Sequence, residues 1–515
     1  PGLAEPMLAK INAALAKPYA VTPFVGDEAH GGKADAVTDP SDRNRIVGSV
    51  VNATAKDAVD GLSRAQSAYR DWDARGGFER AAILERAADL YEQHEPHLMA
   101  LAVREAGKTL PNALGEIREA VDFLRYYAGR ARDQFAGPIA LPGPTGETNE
   151  LRLHGKGVFA CISPWNFPLA IFTGQIAGAL AAGNSVIAKP AEQTPLIAAL
   201  GTHLMHDAGV PADVLHFLPG DGPTIGNALF ADPRLAGVAF TGSTEVANLI
   251  NRALAGRSGP IGTLIAETGG QNAMIVDSTA LPEQVARDVL ASAFDSAGQR
   301  CSACRVLFLQ DDVADKMLHL ILGAMDELKI GDPLKLDTDI GPVIDAEARD
   351  NLQKHADRMA REAKLLRKLP LGPECANGTF FAPHVFELDS LQRLTREVFG
   401  PVLHVVRYSA DRLDSVIDQI NATGYGLTLG VHTRIEETAN SVRARIHAGN
   451  VYVNRNQVGA VVGVQPFGGE GLSGTGPKAG GPNYLLRFAL ERTYTVNTTA
   501  AGGNAALLAS SDTGI

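Results

Sequence analysis

Cysteine is scarce in this chain: four residues, Cys161, Cys301, Cys304 and Cys375, among 515. That is too few for a disulfide scaffold at this size and fits a reducing compartment, so a cytoplasmic location is expected. Cys301 and Cys304 form a lone C-x-x-C with no second pair and no histidine set beside it. This argues against a structural zinc site and against thioredoxin-like redox chemistry, and no metal is expected. Long apolar runs are missing too. None reaches about 18 residues without a charge, so no transmembrane segment is expected. A basic surplus is lacking: the formal net charge is −11, with no Lys/Arg stripe to make a nucleic-acid footprint, and no nucleic-acid partner is expected. A G-x-G-x-x-G placed between strand and helix, the usual mark of a dinucleotide fold, is not found. Nor is an initiator methionine. The chain begins at Pro1 without a signal-peptide pattern, and it is expected to be a piece of a longer polypeptide.

What is present is an ordinary globular composition, 45% hydrophobic and 20% charged, long enough for two or three domains. Residues 1–50 mix short helical signals with Gly and Asp turns and end in the strand-like Arg45–Val51. From Ala55 to Arg132 the apolar spacing is helical, with Ala81, Leu84, Ala87, Ala88 and Tyr91 along one face. Residues 135–153 read as extended, proline-punctuated chain turning at Gly143 to Gly146, a projecting hairpin. Strand and helix then alternate. Strands are predicted at Gly157–Ile162, Ser185–Lys189, Leu215–Leu218 and Gly237–Thr241, with helices over Ile171–Ala182, Pro195–Ala208 and Thr244–Ala255. This spacing marks a parallel sheet covered on both faces, and such sheets bind ligands beyond their carboxyl ends. The loops after Ile162, Lys189 and Phe240 are therefore cofactor candidates. A second α/β pattern runs from Ala266 to Gly463. Its predicted strands are Ala273–Val276, Arg305–Leu309, Val402–Val406 and Leu427–Val431, and amphipathic helix fills Met317 to Lys368. A glycine-dense loop follows at Gly468–Gly476. The tail from Thr498 to Ile515 is Ala/Ser/Gly/Thr-rich and is expected to be poorly ordered.

Within this frame a few stretches carry chemistry. Cys301 lies in Ser296-Ala-Gly-Gln-Arg-Cys-Ser-Ala-Cys304, where glycine and small residues let a substrate carbon approach; as thiolate it is the strongest nucleophile on offer, though a small buried residue is the plainer reading. Glu267 closes a strand-like run beside Thr268-Gly-Gly270, suiting either a general base or a helix cap. Asn166, in Ser163-Pro-Trp-Asn-Phe-Pro168, can serve as a rigid oxyanion donor or as part of a stiff turn. Lys189 and Glu192 could hold a ribose, and Glu192 would repel a 2′-phosphate, favouring NAD over NADP. The free amides near Ser243, at a strand-to-helix turn, suit a pyrophosphate.

Seven stretches stand in one order: Ser163–Pro168, Lys189-Pro-Ala-Glu192, Phe240-Thr-Gly-Ser243, Glu267-Thr-Gly-Gly270, Gly298-Gln-Arg-Cys301, Glu397-Val-Phe-Gly-Pro401 and Pro466-Phe-Gly-Gly469. On them the chain resembles the aldehyde dehydrogenase superfamily from about Val47 to Asn497, a family whose cofactor domain lacks the usual glycine fingerprint. The resemblance implies an α/β fold with a Rossmann-like NAD-binding domain (31–134 and 153–266), an α/β catalytic domain (267–465) and a small β oligomerisation flap (135–152 and 484–497). A lead-in (1–30) and the tail (498–515) complete the division. Cys301 resembles the nucleophile, Asn166 and the Cys301 amide the oxyanion donors, and Glu267 the base that activates water against a thioester. NAD would lie along Ile162, Ser163, Pro164 and Trp165. Lys189 and Glu192 would meet its adenosine ribose, Thr241, Gly242 and Ser243 its pyrophosphate, and Glu397 and Phe399 its nicotinamide ribose, with Glu267 close by.

A nearer resemblance is to the C-terminal half of the bacterial bifunctional proline utilisation A family. Ala170-Ile-Phe-Thr-Gly174, Asp295–Cys301, Gly449–Asn454 and Val458–Lys478 carry it. That half oxidises L-glutamate γ-semialdehyde, the open form of Δ1-pyrroline-5-carboxylate, to glutamate. The resemblance implies that Ser302 and the amides of Gly459 and Ala460 hold the substrate carboxylate, that Phe167 and Phe467 flank its aliphatic stem, and that Glu119 faces its ammonium. For Glu119 the alternative is an exposed helix charge. A preceding FAD-dependent proline dehydrogenase domain, absent from these residues, is implied as partner, with no flavin on this part and a homodimer built through the flap. Another aldehyde, thioester release to coenzyme A and a non-catalytic protein of the same fold stay open; Glu267 speaks for water as the acceptor.

Overall fold

Two parallel sheets organise the chain, and the computed structural model describes residues 4–143 and 147–497. In the first, Val158–Ile162, Ser185–Lys189, Leu215–Phe217, Leu235–Gly242 and Thr263–Thr268 pair in parallel. Their residues alternate between two cores. Phe159, Cys161, Val186 and Ala188 join one face, and Val158, Ala160, Ile187 and Val238 the other. A strand buried on both faces reads as a continuous apolar run, which is why these were visible in the sequence. From Val158–Ile162 the chain steps outward through Ser185–Lys189 and Leu215–Phe217, then returns to place Leu235–Gly242 and Thr263–Thr268 on the other side. The order reverses between Val158–Ile162 and Leu235–Gly242, and a crevice opens beyond their carboxyl ends.

The helices on this sheet start and stop for local reasons. Ala55–Ala74 opens on a capping box between Thr54 and Asp57. The helical stretch that follows is three helices, Gly76–Gln93, Glu95–Ala106 and Leu110–Gln134. Gly107 breaks the last two apart at φ 68°, where any Cβ would also meet Pro342 at 2.8 Å. Two buried carboxylates cap helices distant in sequence. Glu105 accepts from the Leu196 and Ile197 amides at the start of Pro195–Asp207, and Glu116 from Leu169 and Ala170 at the start of Ala170–Ala181.

In the second sheet His384–Leu388, Val402–Tyr408, Val306–Gln310, Ala273–Val276, Thr428–His432 and Asn450–Val453 run parallel in that spatial order, with Lys364–Lys368 antiparallel at one edge. It has its own core. The loops at the amino ends of these strands face the carboxyl ends of the first sheet. Thr268 and Gly426 both bond to Ser473 of the glycine-dense loop, which straps the two ends together.

Two expectations need correction. The helix predicted across Met317–Lys368 is two helices, Asp311–Met325 and Ala346–Glu362, and then the edge strand Lys364–Lys368. Ala4–Ala14 packs on Glu95–Ala106 with Ile11 fully buried, and Phe24–Val25 and Glu28–Ala29 extend the first sheet. Residues 484–488, assigned to the flap, form one 3-10 turn whose Tyr484, Leu485 and Phe488 are buried in the first core. The flap strands themselves are Ile139–Leu141, Thr148–Gly155 and Ala489–Val496, an antiparallel sheet. The Gly143 to Gly146 turn lies partly, and the tail from Thr498 wholly, outside the described residues. Among the described residues no helix is long and apolar enough to cross a membrane.

Candidate active site

Cys301 is half-buried on the loop leading into Val306–Gln310. Before it, Ser296, Ala297 and Gly298 take left-handed φ values of 56°, 54° and 66°. Such a conformation costs a non-glycine residue roughly 1–2 kcal/mol, so the loop must be held from outside. Gln299 and Arg305 do this. The Gln299 side chain donates to the Ser296 and Pro342 carbonyls and accepts from the Ile344 amide. Arg305, 1% exposed, donates to the Gly298, Gly400 and Arg300 carbonyls and to Glu397 at 3.0 Å. Asn272 donates to the Cys301 carbonyl at 2.6 Å, and the Cys301 amide has no acceptor among the described residues. Burial pushes the Cys301 thiol up to about 12, with Glu397 and Glu267 adding to it and Arg305 opposing. At rest this cysteine is a thiol.

Glu267 comes from the opposite side, near the end of Thr263–Thr268. Its Oε2 accepts from the Gly469 amide at 3.1 Å, and its Oε1 is buried without a partner among the described residues. A Cβ at Gly468 would lie 2.7 Å from Oε1 and one at Gly474 2.8 Å from Oε2, so the glycine-dense loop closes around a carboxyl that side chains would displace. Burial raises its pKa to about 8, against the Gly469 bond and the charge of Lys478. Asn166, 8% exposed, spends one amide hydrogen on the Gln299 carbonyl at 3.1 Å, two residues before the cysteine.

Pro164, Trp165, Asn166, Thr241, Gly242, Ser243, Cys301, Glu397 and Phe399 line one cleft of about 960 Å³ between the sheets. Ser243 caps Thr244–Gly256 by accepting from the Val246 amide, which leaves the Thr244 and Glu245 amides without an acceptor among the described residues. Gly269 is what admits Glu397: a side chain there would collide with its carboxyl. Trp165 and Phe399 meet edge to face at 5.6 Å. Lys189 is buried at its strand end, Ser163 donates its amide to the Lys189 carbonyl, Glu192 accepts from the Gly222 amide, and the Ile162 carbonyl accepts from Gln175.

Ser302, Gly459, Ala460, Phe467, Phe167 and Glu119 are not part of that cleft's lining; Ser302 follows Cys301 in the chain, and Glu119 lies close enough for its charge to bear on the thiol. Gln457 ties the 456–460 loop to the Ser302 carbonyl at 3.3 Å, and the Gly459 and Ala460 amides have no acceptor among the described residues. Phe467 bridges to Ala479 beside Gly468. Phe167 lies between two cations, Lys108 at 4.4 Å and Arg300 at 5.3 Å. Glu119 is half-buried rather than exposed; burial and Glu116 raise it to about 7 while Arg300 and Lys108 pull it down. Cys304 is fully buried and donates to the Val306 carbonyl. Sequence reasoning missed Arg305, Asn272, Lys108 and the far cleft wall from Ala346–Glu362. Asn272, two residues beyond Thr268-Gly-Gly270, was the one with a nearby signal.

Residues 27–494 match the family model described as the aldehyde dehydrogenase family. The bifunctional protein PutA of Klebsiella aerogenes is 55% identical over 94% of this chain and 36% of its own length. The chain thus spans little more than a third of the length of that curated relative. The 1-pyrroline-5-carboxylate dehydrogenase of Geobacillus sp. (strain WCH70) is 36% identical over 95% of both chains. A crystal structure of 1-pyrroline-5-carboxylate dehydrogenase from Thermus with bound NAD superposes with a TM-score of 0.90 at 34% identity, covering 96% of this chain and 95% of that one. With the fold, the cleft and a family match across nearly its whole described length, this chain belongs to the aldehyde dehydrogenase family.

Proposed function

We propose that this chain oxidises L-glutamate γ-semialdehyde to L-glutamate through a thioester on Cys301, with NAD as cofactor. One observation carries the reading: Cys301, which lines the cleft from one sheet, lies close enough to Glu267 of the other for that carboxyl to bear on its thiol, and Glu267 Oε1 is buried without a partner among the described residues. Cys301 Sγ, its proton lost, adds to the aldehyde carbon. The negative charge then falls on the carbonyl oxygen, where Asn166 Nδ2 and the Cys301 amide donate; losing such a donor typically costs about 100- to 1,000-fold in rate. When bound, NAD supplies the hydride acceptor that converts the adduct to the thioester. Glu267 then takes a proton from water, the hydroxide adds to the thioester carbon, and the acid leaves as the Cys301 thiol is restored.

The cleft suits the cofactor. The open Thr244 and Glu245 amides at a helix N-terminus fit a pyrophosphate, Lys189 with Glu192 an unphosphorylated ribose, and Glu397 with Phe399 the nicotinamide ribose. For the substrate, bare amides at Gly459 and Ala460 beside Ser302 suit a carboxylate, Glu119 an ammonium, and Phe167 and Phe467 the stem between them. The same reading includes a cytoplasmic homodimer and a longer polypeptide carrying a proline dehydrogenase.

The test is NADH formation, followed by absorbance, with Δ1-pyrroline-5-carboxylate and with propanal, in the parent and in Cys301→Ala. Turnover of pyrroline-5-carboxylate that vanishes in Cys301→Ala is expected. No turnover in the parent overturns the enzyme reading; equal efficiency on propanal overturns the substrate alone.

A further inference from the structure

Lys478 is a half-buried cation that the reaction above leaves without a task. Its Nζ donates to the Gly449 carbonyl and to Asn450 Oδ1 at 3.2 Å, and no carboxylate lies within ion-pair distance of it among the described residues. The antiparallel bridge between Phe467 and Ala479 sets Lys478 opposite Gly468. Gly468 in turn presses against Glu267: a Cβ there would sit 2.7 Å from Oε1. Gly449 packs backbone to backbone on Gly468 and Gly469, and Asn450 Nδ2 holds the Pro466 carbonyl at 3.0 Å. The ammonium is thereby fixed behind the one glycine that touches the free oxygen of Glu267.

The other groups facing Glu267 are uncharged near neutral pH. From the nucleophile loop comes the Cys301 thiol, pushed up to about 12; from the 3-10 turn comes the Tyr484 phenol, raised further still by burial; from the glycine-dense loop comes the Gly469 amide. Lys478 and Glu267 act on one another in the expected senses, the cation favouring the carboxylate and the carboxylate favouring the cation. Exposed Glu470 is the one further charge close to Lys478.

We propose that Lys478 is the positioning cation of the general base, holding Glu267 in its proton-accepting form while hydrogen bonds to Gly449 and Asn450 keep the ammonium from pairing with it directly. An ion pair would block the oxygen that must take the proton from water; a cation one backbone layer behind favours the charge and leaves the oxygen open. This rests on the reading of Glu267 as the base.

The experiment is kcat against pH from 6 to 10, with the NADH burst of the first turnover, in the parent, Lys478→Gln, Lys478→Arg and Glu267→Gln. Glutamine keeps hydrogen bonding and removes the charge. It is expected to move the acid limb of kcat upward by about one pH unit, a roughly tenfold loss at pH 7 regained at alkaline pH. Burst amplitude and KM stay put, and Lys478→Arg keeps the parent limb. An unmoved limb in Lys478→Gln, or equal loss at every pH, overturns the proposal. Should Lys478→Gln fail to fold, Glu470→Gln, on the surface, is expected to move the limb toward acid, and an unmoved limb there overturns it too. If Glu267→Gln hydrolyses the thioester at the parental rate, the base assignment falls and Lys478 with it; a slow Glu267→Gln beside an unmoved Lys478→Gln removes only the role of Lys478.

Discussion

At the scale of single residues, Cys301, the proposed nucleophile, is stored as a thiol. Burial sets that state, and Glu397 is the largest charge contribution. Alkylation of the cofactor-free protein by iodoacetamide should therefore rise about tenfold per pH unit between pH 7 and 10, because the thiolate fraction does so below the pKa. Removing a negative neighbour lowers a thiol pKa, so Glu397→Gln should alkylate faster than the parent at each pH in that range. A parental rate that levels off below pH 9 would contradict the assignment. Cys301, Asn166 and Glu267 could be read from the sequence because glycine, proline and strand ends surround them. Arg305 could not. It looks like the first residue of a strand, and its worth depends on Glu397, 92 positions away, and on three carbonyls to which it donates. Glu119 offered two readings, and only burial beside Arg300 and Lys108 separates them.

At the scale of elements, the loop before Cys301 is a left-handed turn wedged under Gly400. A Cβ at Gly298 would press into the Gly400 carbonyl and lie 2.9 Å from that of Ala293, in a φ of 66° that alanine resists. Gly298→Ala should fold, yet displace Cys301 enough to lower kcat about 100-fold, the typical penalty for an ångström of misalignment. Far-UV circular dichroism and steady-state rates check this together; a wild-type rate would show that the loop tolerates the shift. The alternation of strand and helix from 157 to 256 was legible because both faces of each strand are buried. The Met317–Lys368 stretch was not. Its amphipathic spacing continues across two breaks, and the edge strand Lys364–Lys368 is too polar to announce itself beside a helix.

At the scale of the whole molecule, the antiparallel flap rests on the first core through Leu153 and Ala489 and carries other apolar side chains in solvent. Ile139 is 54% exposed, Leu490 43% and Tyr494 65%. Apolar residues gathered on one exposed sheet mark a surface for association. If the proposed homodimer forms through this sheet, Leu490→Glu combined with Tyr494→Glu should shift sedimentation from dimer to monomer without changing the far-UV spectrum. A dimer that survives would place the interface elsewhere. The sequence showed the hairpin but not which residues leave it for the core, since Tyr484 and Phe488 read as strand until their burial is seen.

The facing ends of the two sheets carry a last consequence. In the proposed reaction Asn166 and Glu267 come from the first sheet's strand ends, Cys301 and Glu397 from loops leading into strands of the second, and none acts alone. Turnover is thus a coincidence detector. A chain with either half melted, or with the halves undocked, displays an inert thiol or an idle carboxylate, and reactive chemistry switches on only when the last interface closes.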